Sequence, residues 1–279
     1  MRPLSRNLLL AGFVAAAAFT MPVHAAPLFT VDEGSVNGSL DQNVIADRIS
    51  FNYEAVIIQT NVGGVLDGND PFTETGFLTK ASYAIGGSAV NSQLNANVLD
   101  FGYGIYGVFT ITGVADAFTD ANGDPGIQAN FQTALLTLYI DPGQDTTLSQ
   151  NSTTGVVTVN DPGFQGADYA IANYTLNLGE AHVFGGLANG DFDALLNMTL
   201  TAAGQQFFTS PSPFFNLEDF SGVTTLLSGA SLTESFTATA SGAGTELFLR
   251  SVPEPGSLAL VGIALLGLGT MSRGRKTKR

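Results

Sequence analysis

The chain has 279 residues, no cysteine and a formal net charge of −14. The absence of cysteine excludes disulfide bonds, thiolate nucleophiles and cysteine-ligated metals. Residues 32–250 hold 23 of the 24 acidic side chains but only three of the basic ones. Such a surface repels phosphate backbones, which argues against a nucleic-acid-binding protein.

The first 25 residues predict a signal peptide and therefore export through the Sec translocase. A short basic segment precedes an uncharged apolar run at residues 8–20. Val23 and Ala25 are the small residues expected before a cleavage site, and Ala26 would be the first mature residue.

Alternation of apolar and polar residues recurs between residues 26 and 251 and predicts half-buried β-strands. The alternating segments are FNYEAVII (51–58), FGYGIYGVFTIT (101–112), YTLNL (174–178), FDALLNMTL (192–200) and SLTESFTAT (231–239). In the first, Phe51, Tyr53, Ala55 and Ile57 share one apolar face, and in the third, Tyr174, Leu176 and Leu178 do. The run 131–140 is apolar on both faces and predicts a central strand. Clusters of Asp, Asn, Gly and Pro between these segments are typical of turns. The pattern predicts an all-β fold, an antiparallel β-sandwich or Greek-key-like fold, as an acidic extracellular domain over residues 26–251.

Two segments depart from this alternation. Residues 91–100, NSQLNANVLD, are compatible with a short helix. Residues 205–220 gather five phenylalanines around two prolines, either as a loop buried against the fold or as an apolar contact surface. Burial is the favoured interpretation.

Catalytic chemistry finds little support in the sequence. His182 is the one histidine that remains after signal removal, and no G-x-S-x-G motif accompanies it, so a Ser-His-Asp triad is not indicated. Carboxylate pairs such as Asp191 with Asp193, or Glu218 with Asp219, are the kind that glycosidases use, but spacing in sequence does not fix their separation. We therefore expect a non-enzymatic protein, with a carbohydrate-active enzyme as the alternative.

Calcium is the ligand that the sequence suggests most directly, although ordinary turns explain the same residues. Asp120, Asn122 and Asp124 stand at alternate positions, as at the start of a D-x-N-x-D calcium loop. A proline replaces the glycine expected after the third ligand. Asp141 and Asp145 have a similar arrangement. The turn interpretation is favoured, so we expect no cofactor and retain a calcium-dependent lectin-like protein as an alternative.

The C-terminal residues predict one transmembrane helix. Residues 255–272 carry no charge, and as a helix they would span ~27 Å, about the thickness of a bilayer core. Arg273, Arg275 and Lys276 follow and would stay cytoplasmic, which leaves the acidic domain outside the inner membrane.

The same residues resemble a known sorting signal. Val252, Pro253, Glu254 and Pro255, followed by the apolar span and RGRK at 273–276, are similar to the PEP-CTERM signal. This resemblance implies that residues 252–279 anchor the precursor transiently and are recognised by an exosortase, a membrane protease that cuts near the PEP motif.

Blocks of the body, including FTVDEGSV, VIADRISFNYEAVI, FGYGIYGVFTITG and LYIDPGQDT, resemble the flocculation-associated PEP-CTERM proteins. That resemblance implies a role in cell aggregation and biofilm formation together with exopolysaccharide, at the cell surface or in the extracellular matrix. A coat protein that self-associates through exposed strand edges is a further alternative.

Overall fold

The computed structural model describes residues 27–96, 102–120, 122–184 and 186–249, of which 65% lie in strands and 4% in helices. The predicted all-β class is confirmed. No helix in these four segments is long and apolar enough to cross a membrane. The predicted signal peptide and transmembrane helix lie outside the described residues.

The described strands follow one another along the chain with few interruptions. They are β1 (Phe29–Asp32), β2 (Asn43–Ala46), β3 (Arg48–Gln59), β4 (Asp67–Ile85), β5 (Ser88–Ala89), β6 (Gly104–Thr119), β7 (Pro125–Asp141), β8 (Thr147–Gln150), β9 (Val157–Asn160), β10 (Tyr169–Phe184), β11 (Asn189–Leu200), β12 (Phe208–Ser210), β13 (Leu217–Ser228) and β14 (Phe236–Leu249). A single-turn 3-10 helix spans Glu33–Ser35, and helix α1 spans Ala202–Phe207.

Eight of these strands form a closed barrel. In the order β3, β4, β6, β7, β10, β11, β13 and β14, each strand pairs antiparallel with the next, and β14 pairs back to β3. The predicted sandwich with Greek-key connections is therefore wrong, and the topology is that of an up-and-down barrel. Alternation of inward and outward residues is common to both architectures, which is why it did not distinguish them.

The barrel interior combines aromatic rings with glycines on neighbouring strands. The predicted inward residues Phe51, Tyr53 and Ala55 of β3 are buried. A Cβ atom built on Gly76 would lie 2.6 Å from the ring of Phe109. The ring thus occupies space that any larger residue at position 76 would need, and this pairing of large and small residues on neighbouring strands lets the eight strands close around the interior side chains.

Two predictions of strand faces are corrected by the closed geometry. The register between β10 and β11 shifts between Leu176 and Leu178, so Leu178 turns outward and is 58% exposed, while Gly179 faces the interior. A bulge of this kind reverses the faces of all residues that follow it. The predicted central strand, residues 131–140, has an outer face as well, with Leu135 61% exposed, because every strand of a closed barrel has one outer side.

One end of the barrel, which we call the closed end, is covered by the small sheet β12-β1-β2 and by α1. Four of the phenylalanines of residues 205–220 lie here, and Phe207, Phe208 and Phe215 are buried, while Phe220 lies inside the barrel beside Phe192, which confirms the burial interpretation. Thr201 caps α1 by accepting a hydrogen bond from the Gly204 amide, a helix that the sequence analysis missed. The predicted helix at 91–100 is not present in its described part, which forms bends and an isolated bridge.

The opposite end, which we call the loop end, is covered by the loops after β3 and β13. Leu66, the last residue of the β3–β4 loop, is almost fully buried there. Its amide donates to the carbonyl of Leu232, and its carbonyl accepts from the amide of Ala117. These backbone hydrogen bonds hold the β3–β4 loop across the mouth of the barrel.

Candidate functional site

Three of the residues considered for acid–base chemistry, His182, Asp191 and Asp193, lie on the outer wall of the barrel, whereas Glu218 is buried inside it. His182 of β10 is in register with Asp191 of β11, and its Nδ1 lies 3.1 Å from the Asp191 Oδ1. Asp193 points to the same side and is opposite Glu180. These residues border a shallow, open groove together with Ser221, and no hydrogen bond joins this serine to His182 in the described structure. The arrangement offers a surface patch rather than two carboxylates across a cleft.

The residues proposed for calcium form a turn between β6 and β7. The Asp120 Oδ1 accepts hydrogen bonds from the amides of Asn122, at 2.8 Å, and Asp124, at 2.9 Å. These backbone hydrogen bonds, the one from Asp124 foremost, hold the pKa of Asp120 below its usual range. In the described segments no three or more metal-ligating side chains converge on one point. Calcium binding at these residues stays an alternative to the turn interpretation.

The turn at Asp141 follows the same local chemistry. Its two carboxylate oxygens accept hydrogen bonds from the amides of Asp145, at 3.3 Å, and Thr146, at 3.0 Å. Desolvation by the surrounding protein nevertheless raises the pKa of Asp141. The second calcium candidate, Asp141 with Asp145, thus also stands in an aspartate turn.

Two adjoining cavities occupy the barrel interior, a location that the sequence analysis did not single out. The larger, of about 80 Å³, lies near the middle of the barrel, and the smaller, of about 60 Å³, lies towards the loop end. Both are bordered by Ile57, Glu74, Phe131, Ala181, Val183 and Leu227. Eight-stranded barrels have interiors of the size that side chains fill or that one small ligand occupies.

Glu74 of β4 is the acidic side chain shared by both cavities. It lies on the inward face together with Phe72 and Leu78, and part of its surface borders the empty space rather than protein atoms. Desolvation raises the pKa of Glu74 to about 7. No described residue hydrogen-bonds its carboxyl group, and the neighbouring Tyr53 hydroxyl pairs with Thr224 instead.

Gln59, the last residue of β3, adds a second polar group to the smaller cavity. The residue is 1% exposed, and neither its Oε1 nor its Nε2 hydrogen-bonds any described residue. A buried amide left without a partner destabilises a fold by about 1–3 kcal/mol per group. Gln59 and Glu74 thus present unsatisfied donors and acceptors to a shared space.

A second group of interior acids lies between the cavities and the closed end. Glu218 and Glu246 are fully buried beside Tyr174. Desolvation raises the pKa of Glu218 to about 8 and that of Glu246 well above its usual range, and the neighbouring Glu218 carboxyl raises the pKa of Glu246 further. They are near enough to influence each other, although none of their oxygens has hydrogen-bond geometry with a described residue. Both are protonated at neutral pH.

Glu33 shows the opposite arrangement at the closed end. It is fully buried, and its carboxylate accepts hydrogen bonds from the Gln93 amide, at 2.9 and 3.1 Å, and from the Tyr103 hydroxyl, at 3.0 Å. This network ties the 3-10 turn to the barrel wall. Its role is structural because every contact joins one part of the fold to another.

The interior acids could have been found by reading strand parity. Glu74 stands two residues from Phe72, Glu218 two residues from Phe220, and Glu246 two residues from Phe248. Residues two apart in a strand share a face, so each glutamate was bound to follow its phenylalanine inward.

Comparison with protein families finds one match. Residues 251–276 match the model of the PEP-CTERM protein-sorting motif. The seven residues predicted to carry sorting, from Val252 to Lys276, lie within this range, outside the described structure. Comparison with curated proteins and with solved structures finds no match. The motif implies processing by an exosortase and a surface-directed protein with a membrane-anchored precursor. The resemblance of the body to flocculation-associated proteins has no support from these comparisons.

Proposed function

We propose that the protein is exported through the Sec translocase, anchored briefly in the inner membrane and cut by an exosortase near residues 252–255. The mature protein promotes cell aggregation at the surface or in the matrix, together with exopolysaccharide, and acts without catalysis. The observation that carries this proposal is the sorting motif at residues 251–276.

The end of the barrel supports the position of the cut. Leu249 still pairs with Leu217, and Phe248 is fully buried, so the folded domain extends to within a few residues of the motif. Cleavage at the motif would therefore release a complete barrel. In the precursor, the closed end would face the membrane, and the loop end would face the medium.

The outer wall supports binding by many weak contacts. Strand surfaces carry threonine pairs such as Thr112 with Thr133, whose hydroxyl oxygens lie 2.7 Å apart, and exposed acids such as Asp193. Hydroxyl and carboxylate groups can hydrogen-bond sugar hydroxyls without a deep pocket. Many copies on one cell would add weak contacts into strong adhesion. The Asp191–His182 pair lies on this same open wall, which favours binding over hydrolysis.

Processing can be tested in the tail itself. Substituting Pro253, Glu254 and Pro255 together by alanine is expected to leave a full-length, membrane-bound precursor, detected by fractionation and immunoblotting. Thr277→Ala, which lies just outside the matched motif, is the control and should be processed normally. Normal cleavage of the triple variant would overturn the sorting proposal.

Aggregation is tested separately by deleting the gene and restoring either the full chain or a chain that ends at Arg250. Loss of flocs with unchanged polysaccharide secretion, rescued by the full chain alone, is the expected result. Unchanged aggregation in the deletion strain would remove the aggregation role and leave the sorting proposal intact. The carbohydrate-active enzyme and the lectin-like protein would then be the functions to test.

A further inference from the structure

We propose that the barrel interior is a binding site for a small organic amine, whose ammonium group is held by Glu74 and Gln59 while its apolar chain fills the adjoining cavities. This site is separate from the sorting tail and from the outer wall on which the proposed aggregation function rests.

The interior has room for such a molecule. A cavity needs roughly 10–15 Å³ to hold one water, so spaces of about 80 and 60 Å³ accept either several waters or a short organic chain. The shared lining residues Ile57, Phe131 and Leu227 are apolar and suit the chain. Mostly apolar walls with a few convergent polar groups are typical of small-molecule sites.

The polar groups in this space define what the ligand must supply. Glu74 and the Gln59 Oε1 both accept hydrogen bonds, and no described residue donates to either. Glu33 shows that this chain does satisfy a buried carboxylate where its role is structural. A ligand with several N–H donors would satisfy both acceptors at once.

Charge favours an ammonium over a neutral donor. Because the pKa of Glu74 is raised only to about 7, its carboxyl is ionised at pH 8 and would pair with a cation in a water-poor space. The acidic excess of residues 32–250 also attracts cations and repels anions. The same residues therefore disfavour a carboxylate or phosphate ligand.

Access to the site lies at the loop end. The smaller cavity is bordered by Gln59 and Phe236, close to the two loops that cover the barrel mouth. The β3–β4 loop is held there by backbone hydrogen bonds of Leu66 and contains Gly63 and Gly64, at which an added Cβ would meet no other atom. Displacing this loop would open the cavity without disturbing a barrel strand.

Titration calorimetry of the full chain with n-butylamine, at about pH 8, tests the site. We expect saturable binding with one molecule per chain, and weaker binding of n-butanol, which has the same carbon chain without the charge. Glu74→Gln should weaken n-butylamine binding by about tenfold or more, because it removes the ionic partner. Glu180→Gln, an exposed glutamate on the outer wall, is the matched control and should leave binding unchanged.

A second variant separates the interior from the acidic surface. Ala181 borders both cavities, so Ala181→Phe should fill them and abolish binding, and Ala181→Leu serves if the larger residue prevents folding. Circular dichroism confirms the fold of each variant. The proposal is overturned if n-butylamine gives no saturable binding, which would mean a water-filled interior, or if Glu74→Gln and the Ala181 variant bind as well as the unchanged protein.

Discussion

The two ends of the barrel interior treat buried polar groups in contrasting ways. At the closed end, the Glu33 carboxylate accepts hydrogen bonds from the amide of Gln93 and the hydroxyl of Tyr103, and the ring of Phe207 packs against that of Tyr103. Towards the loop end, Glu74 and Gln59 face empty space without a described partner. One region is built to be stable, while the other retains an energetic cost that stability alone does not explain.

This contrast indicates where function is to be sought in a fold that has no matched relative. Buried polar groups are nearly always hydrogen-bonded in native proteins, so a group without a partner requires an explanation. Glu218 and Glu246, between the two ends, escape part of the cost by remaining protonated. Three predictions test this division of the interior.

The largest effect is expected from the aromatic cluster of the closed end. Phe248 is fully buried, with its ring centroid 4.9 Å from that of Phe29 and 5.3 Å from that of Phe214. Phe248→Ala should lower the free energy of unfolding by about 3–5 kcal/mol, because it opens a cavity in a packed region. Phe164→Ala, at a loop position that is 55% exposed, is the control for urea unfolding and should change little. A small loss for Phe248→Ala would mean that the closed end is not the stable region.

The second effect is a dependence of stability on pH. Burial raises the pKa values of Glu218 and Glu246 in the folded state above the unfolded value near 4.3. Their favourable contribution is therefore complete below about pH 4.3 and is lost as pH rises towards 8 and beyond, on the order of a few kcal/mol. Urea unfolding at a series of pH values should show this decline. The double variant Glu218→Gln with Glu246→Gln should make the decline shallower and leave the part due to Glu74, and an unchanged slope would contradict the assignment.

The smallest effect compares one glutamate from each end. Glu33→Gln removes an acceptor that three contacts use, and should lower the free energy of unfolding by about 1–3 kcal/mol. Glu74→Gln should raise it by roughly 1 kcal/mol at pH 8, because it removes a charge that has no partner. Chemical unfolding of both variants measures the signs. If both variants changed the free energy of unfolding in the same direction, the distinction between a satisfied and an unsatisfied end of the barrel would be wrong.

Much of the fold could be predicted from local pattern. The alternation that placed Phe51, Tyr53 and Ala55 inward is confirmed, as is burial of the phenylalanine-rich segment 205–220. Both inferences need only the local sequence, because a segment or strand face that is rich in apolar residues is buried whatever covers it.

The rest depends on contacts between distant residues. Closure of the barrel rests on pairs such as Glu246 with Ile49, and the β10 bulge at Leu178 follows from the register of neighbouring strands. Glu74 was missed because its environment is created by strands far away in sequence. The one local indication that Glu74 faces inward is its position two residues from Phe72. No local pattern predicts that a cavity will lie beside it.

The pairing of β14 with β3 has a consequence for the order of events during folding. The two strands lie at nearly opposite limits of the folded domain, and pairings over such separations form slowly. Until β14 is in place, β3 and β13 each expose an unpaired edge, where strands of another chain can add. The sorting motif begins at residue 251, directly after β14. Strand β14, which pairs with both of these edges, is thus the last part of the domain to emerge before the tail. Closure of the barrel and exposure of the tail to the protease are therefore nearly simultaneous.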